Sequence, residues 1–144
     1  MVIAGSTRIA AVIGHPVQHS RSPQMLNAAF SAAGIDAVMI PIDAAPLDLP
    51  TVIAGLRAMR ALGASVTVPH KLAARALCDR LSPVAREIGA VNCLAFDGGE
   101  LVGHNTDRDG FVDALIAAGV ATRQPCSILL GAVGAARAVA HGLH

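Results

Sequence analysis

Short apolar runs and helix-patterned stretches alternate along this chain, and almost every switch between them is marked by glycine or proline. Residues 9–13, 37–42, 64–68, 91–96 and 127–130 have strand length and are built mostly from small and branched apolar residues. Buried strands alternating with helices predict an α/β fold, with a mainly parallel open sheet flanked by helices.

Period and punctuation place the helices between those runs. Ser22-Pro23 is expected to open the first, with Ser22 as its cap, Met25, Leu26, Ala29, Phe30 and Ala33 turned inward, and Gly34 as its end. Asp48 and Pro50 open the second, whose inner face is Leu49, Val52, Ile53, Leu56 and Met59 and whose stop is Gly63. A third runs through Leu72, Ala76, Leu77 and Leu81, and Ser82-Pro83 restarts a short helical piece. Asp97-Gly98-Gly99 is a turn signal, with Leu101-Val102 returning as a hairpin partner. Thr106 caps a further helix with Phe111, Val112, Leu115 and Ile116 inward and Gly119 at its end. Residues 121–125 read as a linker.

The last 19 residues, 126–144, hold a strand, a glycine turn and the start of a helix. They predict the first β-α unit of an incomplete second domain, after a first domain at 1–105 and a connecting helix and linker at 106–125. A lone strand cannot bury its own faces, so residues 127–130 are expected to fray, aggregate or pair with a second copy in a homodimer.

Composition narrows the function. The chain is 53% hydrophobic but only 2% aromatic, with no Trp or Tyr. That argues against single-strand nucleic-acid binding, which relies on aromatic platforms. Net charge is +1 and the cations are scattered, so no basic stripe exists for a phosphate backbone. Cys78, Cys93 and Cys126 match neither a disulfide framework nor a zinc pattern, so no metal is expected and a reducing cytoplasm is the default. No uncharged apolar run has bilayer-spanning length, and no basic segment precedes the apolar N-terminus. The expected partner is a small molecule, with neither nucleic acid nor membrane.

Ligands of open α/β sheets bind beyond the carboxyl ends of the strands. Four segments occupy such places. In G-H-P-V-Q-H-S-R-S-P (residues 14–23), the hydroxyls of Ser20 and Ser22 lie beside free amides at a helix start, a site suited to a small carboxylate. The plainer account is that Ser22 only caps and Ser20 is an ordinary loop residue. In V-T-V-P-H-K (residues 66–71), Lys71 falls in the first turn of a helix. The helix dipole opposes a cation there, so the position suits proton transfer better than stability. A solvated Lys whose stem packs on the strand end is equally consistent, and His70 reads as a packing or rim residue.

In G-H-N-T-D-R-D-G-F (residues 103–111), Thr106 and Asp109 loosely match a capping box, and the dipole favours Asp107 in the first turn. The functional reading has Asp107 facing Lys71, holding a substrate hydroxyl between them, with Asn92 and Asn105 adding neutral hydrogen bonds. In L-L-G-A-V-G-A-A-R-A (residues 129–138), a strand enters a glycine turn and a helix, the dinucleotide-binding context. Gly131, Ala132, Gly134 and Ala135 would face the cofactor. The usual second glycine is replaced by Val133, whose side chain obstructs the pyrophosphate, and Gly134 compensates in part.

These segments, with G-A-V-N-C at 89–93, resemble the shikimate dehydrogenase family in order and spacing. The family patterns are G-N-P-x-x-H-S-x-S-P, N-V-T-V-P-F-K, G-A-V-N-T, G-x-N-T-D-x-x-G-F and G-A-G-G-A-A-R-A, and they span nearly the whole chain. The resemblance implies NADPH-dependent reduction of 3-dehydroshikimate to shikimate, in aromatic amino-acid biosynthesis. It makes residues 1–105 the substrate-binding domain and 126–144 the truncated start of the dinucleotide-binding domain. It implies that Ser20 and Ser22 hold the substrate carboxylate, that Thr67, Asn92 and Ser65 meet ring hydroxyls, and that Lys71 and Asp107 are the catalytic pair, Lys71 giving the proton. This chain departs from the family at Ser65 (usually Asn), His70 (often Phe), Arg108 (commonly Gly) and Val133 (Gly). Two other readings use the same residues: a non-catalytic remnant or module that binds a small hydroxy-carboxylate such as shikimate or quinate, and a structural remnant that binds nothing.

Overall fold

The computed structural model describes residues 2–120, 126–131 and 133–144. The expected linker at 121–125 and Ala132 lie outside the described residues. Six strands form one sheet: β1 (Arg8–Gly14), β2 (Ala37–Asp43), β3 (Gly63–Val66), β4 (Arg80–Leu81), β5 (Cys93–Asp97) and β6 (Glu100–His104). Their order across the sheet is β2-β1-β3-β5-β6-β4. β1 pairs in parallel with β2 and β3, and β6 with β4. β5 is antiparallel to both its neighbours, β3 and β6. The sheet is therefore mixed, because the Gly98-Gly99 hairpin reverses the chain. Both glycines have positive φ (56° and 89°), as a two-residue hairpin turn requires.

β1 shows why helices must lie on both faces. Ala11 and Ile13 join one cluster with Leu49, Ile53, Leu56, Val66, Leu94 and Leu101, whereas Ala10 and Val12 join another with Val17 and Met39. Successive side chains of a strand point to opposite faces, so this all-apolar strand has to be covered twice. α1 (Ser22–Ala32) covers the second face through Leu26 and Phe30. α2 (Leu49–Ala58) and α3 (Lys71–Ala76) cover the first, with Leu49, Ile53, Leu56 and Ala74 buried. α4 (Pro83–Ile88) is capped by the Ser82 hydroxyl, which accepts from the Ala85 N–H at 3.2 Å, as its Ser-Pro start suggested. α5 (Asp107–Ala117) and α6 (Gly134–Leu143) pack on each other, and Ala138 of α6 is buried with Ile88 and Ala90.

The structure departs from the sequence reading in several places. Leu81 lies in β4, not in the third helix, because it pairs with Gly103 at the edge of the sheet. Arg21 occupies the cap position of the first helix without a side-chain cap bond, and the Ser20 hydroxyl accepts from the Ser22 N–H at 3.3 Å, so Ser22 is not the cap. Thr106 occupies the cap of α5 without capping it through its side chain; buried Asn105 does so instead, accepting from the N–H groups of Asp107 and Arg108 at 3.1 and 3.4 Å. Met25, Met59 and Ile116 are exposed, because each sits on the rim of its helix where no neighbouring element reaches. α2 ends before Arg60, and Gly63 instead opens β3, where any Cβ would overlap the Leu94 carbonyl of the neighbouring strand. Residues 127–130 form no strand, and Ile128 and Leu130 are 86% and 91% exposed. They have no ladder partner in the sheet, so the expected pairing geometry never forms.

Two substitutions separate packing from backbone clearance. Leu101→Ala empties a fully buried site and is expected to lower unfolding stability by about 2–5 kcal/mol in a denaturant titration. Gly63→Ala, a smaller chemical change, is expected to cost more, because the clash is with backbone; an equal or smaller loss would contradict the β3–β5 register.

Candidate active site

Strand direction gathers the chemistry on one edge of the sheet. β1, β2 and β3 run to that edge in parallel, β6 ends there, and β5 starts there, since Ser65 pairs with Cys93 and Cys93 with His104. The loops at that edge carry Ser20 and Ser22, Thr67 and Lys71, Asn92, and Asp107.

Lys71 and Asp107 meet there. Lys71 Nζ donates to Asp107 Oδ2 at 2.6 Å, and both side chains are largely buried, at 16% and 26% exposure. Asn92 fixes the carboxylate from its other side, its Nδ2 donating to Asp107 Oδ1 at 2.7 Å. Asn92 is in turn held by Thr106, whose N–H donates to Asn92 Oδ1 at 2.8 Å while its Oγ1 accepts from Nδ2 at 2.9 Å. Asn105 does not face the pair: its amide donates to the Ala90 carbonyl at 3.0 Å, inside the protein. His70 is a packing residue, 1% exposed, with Nε2 at 2.8 Å from the Ala44 carbonyl.

The loop carrying the serines is pressed against the Lys71 segment. The His15 N–H donates to the Val68 carbonyl at 2.9 Å and the Thr67 N–H to the Ile13 carbonyl at 2.9 Å. Gly14 makes this approach possible, since a Cβ there would stand 2.5 Å from Thr67 Cγ2. Asp43, at the end of β2, holds the loop from its far side: Oδ1 lies 2.7 Å from His15 Nδ1, and Oδ2 accepts from Gln18 Nε2 at 2.9 Å. The sequence reading missed this clamp. The only signal for it is the register that sets Gly14 opposite Asp43. Among the described residues no hydrogen bond joins Ser20 or Ser22 to Lys71, Asp107 or Asn92.

A cavity of about 190 Å³ opens beside the pair, lined by Thr67, Val68, Pro69, Lys71 and Leu72 on one side and Val133, Gly134 and Ala135 on the other. It joins a candidate substrate residue and a candidate catalytic residue to the start of α6. Ser65 stands apart, in a groove of about 350 Å³ on the α1 face of the sheet that it shares with Phe30 and Cys93. Gly131 makes the turn before α6 with a φ of 118°, open to glycine alone. Gly134 is buried, and a Cβ there would lie 2.7 Å from Lys71 Cβ. Val133 is 64% exposed, turned out of the packed interior. Gly134 and Ala135 leave this wall of the cavity without bulk, and the N–H groups of the first turn of α6 lie next to it.

Burial pushes the Cys78 thiol up to about 11, with the Asp79 charge adding to it, and burial also raises Cys93. Neither suits a nucleophile at neutral pH. Among the described residues no three His, Cys, Asp or Glu side chains are grouped to hold a metal ion, and no helix is long and apolar enough to cross a membrane.

Comparison with known proteins follows the same lines. The model of the shikimate dehydrogenase substrate binding domain matches residues 12–94. The shikimate dehydrogenase (NADP(+)) of Symbiobacterium thermophilum is 48% identical over 136 residues, which are 94% of this chain and 46% of that protein. The crystal structure of the Aquifex aeolicus shikimate dehydrogenase superposes with a TM-score of 0.94 at 38% identity, over 99% of this chain and 53% of that one. The Thermus thermophilus enzyme, solved with NADP(H) and shikimate, gives a TM-score of 0.88 at 41% identity, over 95% and 52%. The chain spans about half the length of the curated relatives it matches. A domain match over more than half the chain, on the segments that build this edge of the sheet, makes the chain a member of the shikimate dehydrogenase family.

Proposed function

We propose that this chain supplies the substrate-binding and proton-donating side of an NADP-dependent shikimate dehydrogenase, which reduces 3-dehydroshikimate to shikimate. The observation that carries the reading is the Lys71–Asp107 contact at 2.6 Å, with Lys71 also lining the cavity that reaches Gly134. In this scheme residues 1–105 form the substrate domain, 106–125 the connection, and 126–144 the start of the cofactor domain.

Reduction of a ketone needs a hydride at carbon and a proton at oxygen. When bound, NADPH supplies the hydride; Gly131, Ala132, Gly134 and Ala135 would hold it. Lys71 does the rest. An ammonium has three N–H donors, and Asp107 takes one, so two remain for the carbonyl oxygen. As negative charge builds on that oxygen, Lys71 donates a proton to it. Asp107 keeps the ammonium aimed, and Asn92 keeps Asp107 aimed. The hydroxyls of Ser20 and Ser22 would receive the substrate carboxylate, and Thr67 and Asn92 its ring hydroxyls, whereas Ser65, in the groove on the α1 face, takes no part.

One observation favours a second reading for the chain by itself. Val133 lines the cavity wall where the cofactor would approach, at the place of the usual second glycine. A module that binds shikimate or quinate without redox chemistry accounts for it.

Three measurements test these readings. Calorimetry should register shikimate binding to the chain at millimolar concentration, and Ser20→Ala/Ser22→Ala should abolish it; absence of heat from the unaltered chain would remove the carboxylate site. In a protein of the relatives' full length carrying this segment, Lys71→Ala should lower kcat by about 10²–10⁴-fold with a smaller effect on KM. A KM effect alone would make Lys71 a binding residue only. The 144-residue chain with 3-dehydroshikimate should oxidise no NADPH; a measurable rate would exclude the module reading.

A further inference from the structure

At the edge of the sheet opposite Lys71, a second concavity of about 190 Å³ is lined by Arg8, Arg57, Arg60, Ala61, Phe96 and Gly99. Three of the chain's 11 Lys and Arg residues converge there from two separate segments, the start of β1 and the end of α2. We propose that this pocket binds a small, multiply charged anion of the phosphate class.

The charge balance supports it. Arg57 is fixed in place, donating to the Gly99 carbonyl at 3.0 Å and to Asp79 Oδ2 at 2.6 Å. The same Asp79 oxygen also accepts from the Leu101 N–H at 2.7 Å. Of the other nearby acids, Glu100 pairs with Arg80 at 3.1 Å, and Asp36, held by the Ser6 and Thr7 hydroxyls, does not line the pocket. Asp97 sits on the exposed hairpin and does not line the pocket. Arg8 and Arg60 have no carboxylate partner among the described residues. Two guanidiniums that line the concavity thus have no carboxylate of their own, which matches a dianion whose oxygens accept from the planar N–H fork of arginine.

The backbone adds an independent observation. α1, α4 and α5 are each followed by a glycine with positive φ, at Gly34, Gly89 and Gly119 (65°, 74° and 71°). α2 is followed by Arg60 in the same left-handed conformation, at φ 54°, the only non-glycine residue with positive φ among those described. Glycine is the favoured residue there, so a guanidinium is kept at a conformational cost. The helix end does not need it. The carbonyls of Gly55, Leu56 and Arg57 already accept from the N–H groups of Met59, Ala61 and Arg60 at 2.9–3.0 Å. Phe96, half-buried beside the arginines, offers an apolar wall to an organic group esterified to the phosphate.

Titration of the chain with inorganic phosphate and with pyrophosphate, at low ionic strength, tests this by calorimetry and amide NMR. Binding should saturate, with shifts at Ala61, Phe96 and Gly99. Arg60→Gly suits the left-handed backbone and so preserves the fold; it and Arg8→Gln should each weaken binding about tenfold, as loss of one charge-assisted hydrogen bond predicts. Arg86→Gln, which removes an exposed charge elsewhere, should leave affinity unchanged and so separate a site from general charge. Shifts confined to the α6 N-terminus or to the Ser20–Ser22 loop would overturn the proposal. So would an equal loss in Arg86→Gln, or no loss in Arg60→Gly and Arg8→Gln.

Discussion

β5 runs against β3, and the placement of Asn92 and Asp107 beside Lys71 follows from that reversal. With β1, β2 and β3 parallel, the loops that follow them open on one edge. An antiparallel β5 begins at that edge, and the hairpin returns β6 to it. Asn92 enters β5 and Asp107 leaves β6, so they arrive beside Lys71, which leaves β3. Were β5 parallel, Asn92 would start from the opposite edge. The backbone locks the meeting point as well: the Asn92 N–H donates to the His104 carbonyl at 3.1 Å, and its own carbonyl accepts from the Val66 N–H at 2.7 Å.

The ion pair at this meeting point answers an electrostatic problem posed by its surroundings. Lys71 opens one helix and Asp107 opens another. The dipole of α5 favours the carboxylate, whereas that of α3 disfavours the ammonium. Asp107 therefore stabilises Lys71 where its own helix does not, and Asn92 offsets part of the cost of partly burying the carboxylate. The ammonium is thereby held in place with N–H donors left over for an oxygen acquiring negative charge.

The sequence made the alternation of strands and helices readable, because each element obeys a local rule of period and punctuation. Residues 9–13 and 37–42 correspond to β1 and β2, Gly34 and Gly119 follow their helices, and the Gly98-Gly99 hairpin turns where the glycines stand. The Lys71–Asp107 encounter was legible through family resemblance; spacing alone left a solvated Lys equally consistent. What stayed hidden depends on partners far apart in the chain. The two-residue β4 is defined by β6, the Asp43 clamp by the β1–β2 register, and the cap of α5 by Asn105 reaching Ala90. Residues 127–130 had strand composition, and composition does not supply a neighbour. The anion pocket was equally hidden, since Arg8 and Arg60 become neighbours only through the sheet.

The contact of Gly134 with the stem of Lys71 has a mechanical consequence. The helix lies so close to the aliphatic stem of Lys71 that no methyl group fits between them. Position 134 touches no reacting atom, yet any side chain there would have to displace either α6 or the stem that carries the ammonium.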